Sequence, residues 1–239
     1  TLLIPCRNGL LDPQTRELQP LTPAYLYTGG TSCDYDPAGT CETWDSFLSD
    51  SFSGDEASHN LLQEYFGYLL SQGTSKQKML MLIGVPGSGK STVGRVAEAL
   101  LGEDNVVGTS LQSIATNFGA ALFLNKSLAV VDDAQSVAKT DMPTAMGRIL
   151  SIVGEGRIPI DVKGKAVRSV RLSTRLMLLA NSYPSIPEHN KDAMARRCLM
   201  LAFQNVVETP DDQLTEKLMG ELSGILHWAL AGLERLTVN

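Results

Sequence analysis

One segment, residues 84–91, restricts the possible folds of this chain more than any other feature of its sequence. It reads Gly-Val-Pro-Gly-Ser-Gly-Lys-Ser and matches the pattern GxxxxGK[ST]. Residues 79–83 before it form an apolar run typical of a buried parallel strand, and apolar residues in 91–101 keep helical spacing until Gly102. A glycine-rich turn between a strand and a helix lets backbone N–H groups surround a phosphate. The segment therefore predicts a nucleotide phosphate loop rather than an inert turn.

Each polar residue of this loop has a chemical reason to be there. Lys90 can reach the β- and γ-phosphates, and the Ser91 hydroxyl can ligate Mg²⁺, so ATP and Mg²⁺ are the predicted cofactors. We expect Lys90 to be accessible to solvent in the loop. The predicted nucleotide-binding residues are Gly84, Pro86, Gly87, Ser88, Gly89, Lys90, Ser91 and Thr92.

Two carboxylates follow a second apolar run about 40 residues further along the chain, where Asp132 and Asp133 come after residues 128–131. Acids often end strands or cap helices, so the pair alone is weak evidence. Together with the phosphate loop it indicates catalysis, which needs one acid for the metal and one to orient or deprotonate water. We assign Asp132 to the metal, with Ser91, and Asp133 to the water.

A third apolar run, residues 176–180, ends in Asn181. A polar residue at the tip of a strand beside a phosphate site can hydrogen-bond the γ-phosphate or the water, which is a sensor role. The alternative is a turn-forming asparagine before Ser182-Tyr183-Pro184. The phosphate loop favours the sensor.

Two arginines, Arg196 and Arg197, precede an apolar run at 198–203. One of them could act as an arginine finger that stabilises charge on the γ-phosphoryl group across a subunit boundary. Surface solvation, or a salt bridge to Glu188 or Asp192, would explain them equally well. The residues themselves leave this choice open.

The remaining pattern indicates an α/β fold with a largely parallel sheet, because apolar strands alternate with helical segments. The first 55 or so residues are rich in turn residues and predict short strands and loops. Residues 71–75 read as a linker, so we place a boundary near residue 74. The predicted helices cover 59–70, 91–101, 111–118, a segment with Pro143 in its first turn, and 212–236. Alternating apolar residues around Lys163-Gly164-Lys165 predict a hairpin.

Charge and composition narrow the function. The net charge of −6 argues against nucleic acid, yet residues 155–175 contain six basic and two acidic residues and can attract an anion. The four cysteines lack CxxC spacing and the three histidines lie far apart, so we predict no zinc site. No apolar run is long enough to span a membrane and no leader is recognisable, which predicts a cytoplasmic protein with no membrane partner.

The order of these motifs resembles that of superfamily 3 helicases, specifically the D5-like, phage P4-type primase-helicase group of phages, plasmids and mobile elements. The similarity is strong over residues 80–203 and weaker before residue 74. It implies an AAA+-like ATPase core with a mostly parallel sheet. The regions it implies are a small D5-like N-terminal region (1–74), the ATPase and helicase core (75–207) and a C-terminal helical segment (208–239).

The resemblance also implies roles for single residues. Lys90, Ser91, Asp132, Asp133 and Asn181 keep the roles given above, and Arg197 matches the family's finger better than Arg196 does. Residues 154–165 resemble a motif whose hairpin grips single-stranded DNA in a central pore, which implies that Lys163 and Lys165 bind DNA. This chain has Glu155 where the family often has aspartate, which preserves the charge.

The favoured function is therefore an ATP hydrolase that works as a DNA helicase or translocase. The family implies a homo-oligomeric ring, most often hexameric, acting on single-stranded DNA, with any primase or polymerase domain in an upstream part of the full-length protein. Two alternatives remain at this point: an ATPase switch that remodels proteins, and a small-molecule kinase. DNA-stimulated ATP hydrolysis would separate the first function from the other two.

Overall fold

The structure is a computed structural model that describes residues 3–25, 30–71, 73–134, 141–161, 166–205 and 211–238. The chain divides into two compact units. The sheet unit comprises the described parts of Gly73–Val85 and Val106–Ala202. The helix unit comprises the described parts of Thr1–Gln72, Pro86–Asn105 and Phe203–Asn239.

A five-stranded sheet dominates the sheet unit. Its strands in chain order are β4 (Met79–Gly84), β5 (Val106–Thr109), β6 (Leu128–Val131), β9 (Arg175–Ala180) and β10 (Cys198–Phe203). They lie in the order β10-β4-β9-β6-β5. The pairs β4/β9, β9/β6 and β6/β5 are parallel. The predicted fold class, an α/β core around a mostly parallel sheet, is confirmed.

Helices pack on this sheet because its three central strands, β4, β9 and β6, are almost continuously buried. The helices are α4 (Leu111–Ala115), α5 (Met142–Val153) and α6 (Lys191–Arg197). Their apolar faces join the inner strand residues in one core, for example Met146 and Ile149 of α5 with Met81 of β4 and Leu178 of β9. Pro143 lies in the first turn of α5, as predicted, where its missing N–H has no helical partner to lose.

One predicted helix in this unit needs correction, and one strand was missed. The helix predicted over 111–118 ends at Ala115, where an Arg148 Nη1 donates to the Ile114 carbonyl at 2.5 Å, and a short 3-10 turn follows at Gly119–Phe123. Strand β5 was not predicted, because a four-residue Val-Val-Gly-Thr segment carries little periodic signal.

The predicted hairpin is present in its described part. Strand β7 (Arg157–Ile160) pairs antiparallel with β8 (Arg168–Arg171) in the register Arg157↔Arg171 and Ile158↔Val170. Ile158 and Ile160 are buried, so one face of the hairpin packs on the core. The predicted tip, with Lys163 and Lys165, lies outside the described residues.

The helix unit combines a small antiparallel sheet with five helices. The sheet contains β1 (Ile4–Cys6), β2 (Gly9–Leu11) and β3 (Leu18–Gln19). The helices are α1 (Glu42–Phe52), α2 (Glu56–Leu70), α3 (Lys90–Leu101), α7 (Leu214–Gly220) and α8 (Leu222–Val238). Helices α2 and α8 approach so closely that a Cβ on Gly232 would lie 2.0 Å from the Gln63 carbonyl oxygen.

Helix α1 corrects the prediction of only strands and loops before residue 55. Trp44, Phe47, Leu48 and Phe52 are its buried apolar residues and have helical spacing. Its N-cap residue, Cys41, makes no side-chain capping bond. The helix instead takes its cap from a residue that is distant in sequence.

That residue, Glu221, also explains the second correction in this unit. The single helix predicted over 212–236 is two helices, α7 and α8, separated at Glu221. The Glu221 carboxylate accepts hydrogen bonds from the backbone N–H groups of Thr43 at 2.9 Å and Trp44 at 3.0 Å. These are first-turn N–H groups of α1, which no helical carbonyl can accept. Within the described ranges, no helix has both the length and the apolar character needed to cross a bilayer.

Candidate functional site

The predicted phosphate loop connects β4 to α3, and its backbone requires glycine at two positions. Gly87 has φ = +79° and Gly89 has φ = +94°, in the left-handed region that other residues rarely adopt. Gly89 is the N-cap of α3, and its carbonyl accepts the N–H groups of Thr92 and Val93 at 3.0 and 3.2 Å. The loop thus has glycines at the positions where a phosphate-binding turn needs them.

Lys90 is buried, with 6% of its surface exposed, which corrects the expectation that it is solvent accessible. Helical side chains lean toward the helix N-terminus, so the first helical residue points back toward its own loop. Its ammonium group donates to Ser88 Oγ at 3.3 Å, and burial lowers the pKa of the lysine. Ser91, the next residue, is exposed, as are Pro86 and Gly87 earlier in the loop.

The strand order brings the starts of three predicted site segments to one edge of the sheet. Strand β9 lies between β4 and β6, with the registers Ile83↔Ala180 and Val131↔Leu178. Because all three strands are parallel, the residues that follow them, beginning at Gly84, Asn181 and Asp132, leave from the same edge. This is the edge at which open α/β sheets bind ligands.

The acid pair is held by backbone bonds to both neighbouring strands. The N–H of Asp132 donates to the Thr109 carbonyl of β5 at 3.1 Å, and the N–H of Ala134 donates to the Leu179 carbonyl of β9 at 3.0 Å. Asp133 lies between these anchors with φ = +49°. Both carboxylates are exposed. The chain direction at this point is therefore set, while the acids remain accessible to a ligand.

The donor atoms suit a magnesium ion that arrives with its nucleotide. Among the described residues there is no group of three or more His, Cys, Asp or Glu that could hold a metal alone. Mg²⁺ usually binds substrate phosphates, several waters and only one or two protein oxygens. Ser91 and Asp132 are both exposed, and each carries an oxygen of the kind that Mg²⁺ accepts.

The two arginines have different surroundings. Arg196 is exposed, and its backbone carbonyl accepts a hydrogen bond from Lys78 at 2.5 Å. Arg197, the last residue of α6, is half-buried against Gly154, the C-cap of α5. The proposed partner Glu188 forms an exposed ion pair with Lys191 at 2.5 Å.

The described part of the hairpin carries three exposed arginines, Arg157, Arg168 and Arg171. Arg157 and Arg171 are direct cross-strand partners. Like charges at such positions repel each other unless an anion lies near them. The described end of the hairpin is therefore electropositive.

The sequence did not reveal a cavity in the helix unit. It has a volume of about 760 Å³ and lies between α1 and α7. Phe47 and Ser51 line it and also contact the phosphate loop, because a Cβ on Gly89 would lie 2.8 Å from the Phe47 ring and 3.7 Å from Ser51 Oγ. The helical spacing of the apolar residues in α1 could have identified Phe47 as a buried helix residue, although that spacing does not indicate the cavity. The other lining residues are Glu42, Thr43, Ser46, Asp50, Asn205, Asp211, Leu214 and Lys217.

Two family models match this chain. Residues 82–197 match a family of unknown function (DUF5906), and residues 1–53 match the D5 N terminal like family. Two solved structures of the NrS-1 C-terminal region share the fold. One, an A-form apo structure, has a TM-score of 0.67 at 13% identity and covers 84% of this chain and 49% of that chain. The other, also apo, has a TM-score of 0.67 at 11% identity and covers 89% and 56%.

The predicted resemblance to the D5-like group is confirmed by the D5 N terminal like match over residues 1–53, and the two solved structures share the fold.

A further relative, the uncharacterized mitochondrial protein ymf21 of Marchantia polymorpha, is 32% identical over 79 residues, which are 33% of this chain and 44% of that protein. The chain thus spans 44% to 56% of the length of these three relatives. The D5 N-terminal match includes β1, β2, β3 and α1, and so includes most of the residues that line the cavity. The second match runs from β4 to the end of α6 and includes the loop, the acid pair, Asn181 and Arg197.

Proposed function

We propose that this chain is the ATP-hydrolysing motor domain of a DNA helicase or translocase. One observation carries the proposal: a phosphate loop, an acid pair and an asparagine follow three adjacent parallel strands at one edge of a five-stranded sheet. A nucleoside triphosphatase needs those three components at such an edge. The resemblance to D5-like helicases adds DNA as the polymer on which the motor acts.

Each residue has one role in this proposal. Lys90 and the loop N–H groups bind the β- and γ-phosphates, and Asp133 takes a proton from water as the water oxygen attacks the γ-phosphorus. The bond to the β–γ bridging oxygen then breaks and ADP leaves. Asn181 orients the water or the γ-phosphate by a hydrogen bond. When bound, Mg²⁺, held by Ser91 and Asp132, would neutralise phosphate charge.

The cavity beside Gly89 is the proposed place for the nucleoside. The Phe47 ring offers an apolar surface to a base, and the carboxylates of Glu42, Asp50 and Asp211 can accept hydrogen bonds from ribose hydroxyls or an exocyclic amine. An acidic cavity would repel the triphosphate, which favours its remaining at the glycine loop. The loop and the cavity would thus bind opposite ends of the same molecule.

The hairpin is the proposed DNA contact. Arg157, Arg168 and Arg171 are exposed on its described strands, and the sequence adds Lys163 and Lys165 toward the tip. Contacts to phosphates would be independent of base sequence and sensitive to salt. Replacing Lys163 and Lys165 with alanine should weaken oligonucleotide binding and reduce the slope of log affinity against log salt, while basal ATP hydrolysis persists. An unaltered slope would remove the tip from the mechanism.

A homo-oligomeric ring, proposed to be hexameric, would let Arg197 serve the nucleotide of a neighbour. The test mixes Arg197→Ala chains with Lys90→Ala chains, each inactive alone. Mixed rings contain some interfaces with both an intact Lys90 and an intact Arg197, so part of the ATPase activity should return. No recovery despite proven subunit exchange would place the whole site in one chain. Any primase or polymerase domain is proposed to lie in an upstream part of the longer protein.

The experiment that tests the function as a whole measures ATP hydrolysis by the wild-type chain with and without single-stranded DNA. We expect hydrolysis that DNA stimulates severalfold. The Lys90→Ala chain is the control for contaminating ATPases. Hydrolysis without any DNA effect would favour a protein-remodelling switch, and transfer of phosphate to a small molecule would favour a kinase.

A further inference from the structure

The Arg197 side chain packs against Gly154, where any larger residue would meet it. A Cβ on Gly154 would lie 2.9 Å from Arg197 Nη2 and 3.2 Å from its Nε. The φ of Gly154 is −81°, which any residue can adopt, so backbone conformation does not require glycine there. A Cβ there would also lie 3.0 Å from the Leu150 carbonyl oxygen, so glycine leaves room for both the guanidinium and this carbonyl. Gly154 therefore forms a seat for the Arg197 side chain.

The seat belongs to a tightly held turn that leads into the hairpin. The N–H groups of Gly154, Glu155 and Gly156 donate to carbonyls in the last turn of α5 at 2.8 to 3.0 Å. Glu155 has φ = +57°, and its carboxylate accepts a hydrogen bond of 2.6 Å from the buried Thr74 hydroxyl. Strand β7 begins at the next residue after Gly156. Movement of the seat would therefore be transmitted directly to the hairpin.

The seated guanidinium is not fully satisfied. Its Nε atom is buried, and among the described residues it has no hydrogen-bond partner. A buried N–H without an acceptor is costly, so an incoming anion could draw the side chain to a better position. One of the two carboxylates that the sequence suggested as alternative partners, Glu188, already pairs with Lys191.

We propose that Gly154 is a positioning residue for Arg197, and that the contact between them links the position of the guanidinium to the base of the hairpin. This inference rests on the proposed function, in which Arg197 acts on a γ-phosphate and the hairpin acts on DNA. Occupation of the arginine by a phosphate would then be communicated to the DNA contact through a single turn of backbone.

The contact is tested by a double-mutant cycle in urea unfolding, which requires no activity. Gly154→Ala should lower the unfolding midpoint in the wild-type background, because the new methyl group displaces the guanidinium. In an Arg197→Ala background the same change should lower it much less. Equal shifts in both backgrounds would overturn the proposal. If Gly154→Ala alone fails to fold, the double variant should regain folding, and its failure would also overturn the proposal.

Gly147→Ala is the matched control, since Gly147 lies in the same helix and a Cβ there would have nothing within 4 Å. This control should raise the midpoint slightly and show no coupling to Arg197.

The link to function is tested by kinetics on the same variants. Gly154→Ala should reduce DNA-stimulated ATP turnover about tenfold with an unchanged KM for ATP, whereas Gly147→Ala should change neither. A loss of turnover accompanied by an equal rise in KM would indicate general damage and would overturn the link. If the wild-type chain hydrolyses no ATP, the proposed function fails, while the unfolding cycle still decides whether Gly154 seats Arg197.

Discussion

The central strands of the sheet unit, β4, β6 and β9, are continuous apolar runs that end in polar or glycine residues. In the helix unit, the limits of α1, α7 and α8 have no comparable signal: the unit comes from three separate stretches of chain, and these helices make their contacts at glycines and at one carboxylate. A strand that is buried on both faces can be recognised from a few consecutive apolar residues. The start of a helix that is capped by a residue 178 positions away cannot be recognised in this way. The comparison teaches that the central strands of the sheet unit are specified locally, as are the residues of the predicted phosphate loop, whereas the limits of α1, α7 and α8 in the helix unit depend on long-range contacts.

The largest expected effect lies at the most locally specified residue. Lys90→Ala should lower the turnover of ATP about 1,000-fold, as expected for the loss of one preorganised charge contact to a phosphate. The unfolding midpoint at neutral pH should not fall, because Lys90 is buried and its removal abolishes a desolvation cost. Steady-state hydrolysis and urea unfolding measure the two effects. Unchanged turnover would contradict the assignment of the loop.

The same variant gives a pH test with a defined sign. Burial lowers the pKa of Lys90 in the native state, so the native protein releases this proton at lower pH than the unfolded chain does. Between the two pKa values the unfolded state binds more protons, and the stability of the wild type relative to Lys90→Ala should rise with pH. Unfolding midpoints of both proteins measured at increasing alkaline pH would show it. A difference independent of pH would mean that the lysine titrates normally.

The long-range contacts of the helix unit are tested by Gly232→Ala. The new Cβ would meet the backbone of α2 at Gln63, which cannot move aside as a flexible side chain could. The free energy of unfolding should therefore fall by about 3 kcal/mol. Gly220→Ala is the control in the same unit, because a Cβ there has nothing within 4 Å. If both changes had the same small effect, close helix contact would not specify this unit.

The acid pair offers a smaller change on the locally specified side. Asp133→Asn should retain ATP binding but reduce hydrolysis about 100-fold, because an amide can orient a water but cannot accept its proton. Nucleotide affinity and single-turnover hydrolysis should be measured separately, with the exposed Asp212→Asn as the control. Should affinity fall as far as turnover, the division of roles between Asp132 and Asp133 would be wrong.

The smallest expected effect concerns the distant cap of α1. Glu221→Ala should cost about 1 to 2 kcal/mol of unfolding free energy, since two first-turn N–H groups lose a charged acceptor. Glu221→Gln should cost less, because its amide oxygen can still accept one bond. Glu216→Ala, at an exposed position of α7, serves as the control. If Glu216→Ala lowered the free energy of unfolding as much as Glu221→Ala does, capping by Glu221 would not explain the effect.

Much of the fold and of the candidate site could be predicted, and the failures share a cause. Strands β4, β6, β9 and β10 and helices α2, α3 and α5 lie within a few residues of their predicted positions, because buried periodic segments identify themselves. Helix α1 had the right apolar spacing but was obscured by the turn residues around it. The break at Glu221 had no local signal, because the residue that it stabilises belongs to another helix.

By itself the sequence determined the glycine-rich turn of the predicted phosphate loop, the strand that precedes it and the polar residues that follow the neighbouring strands, because each depends on a few consecutive residues. Only the tertiary structure decided that Lys90 is buried and that Glu221 caps α1. It also decided that Arg197 rests on Gly154, 43 residues earlier in the chain. Burial, capping and close backbone approach depend on which distant segments meet, and a linear pattern of residue types does not contain that information.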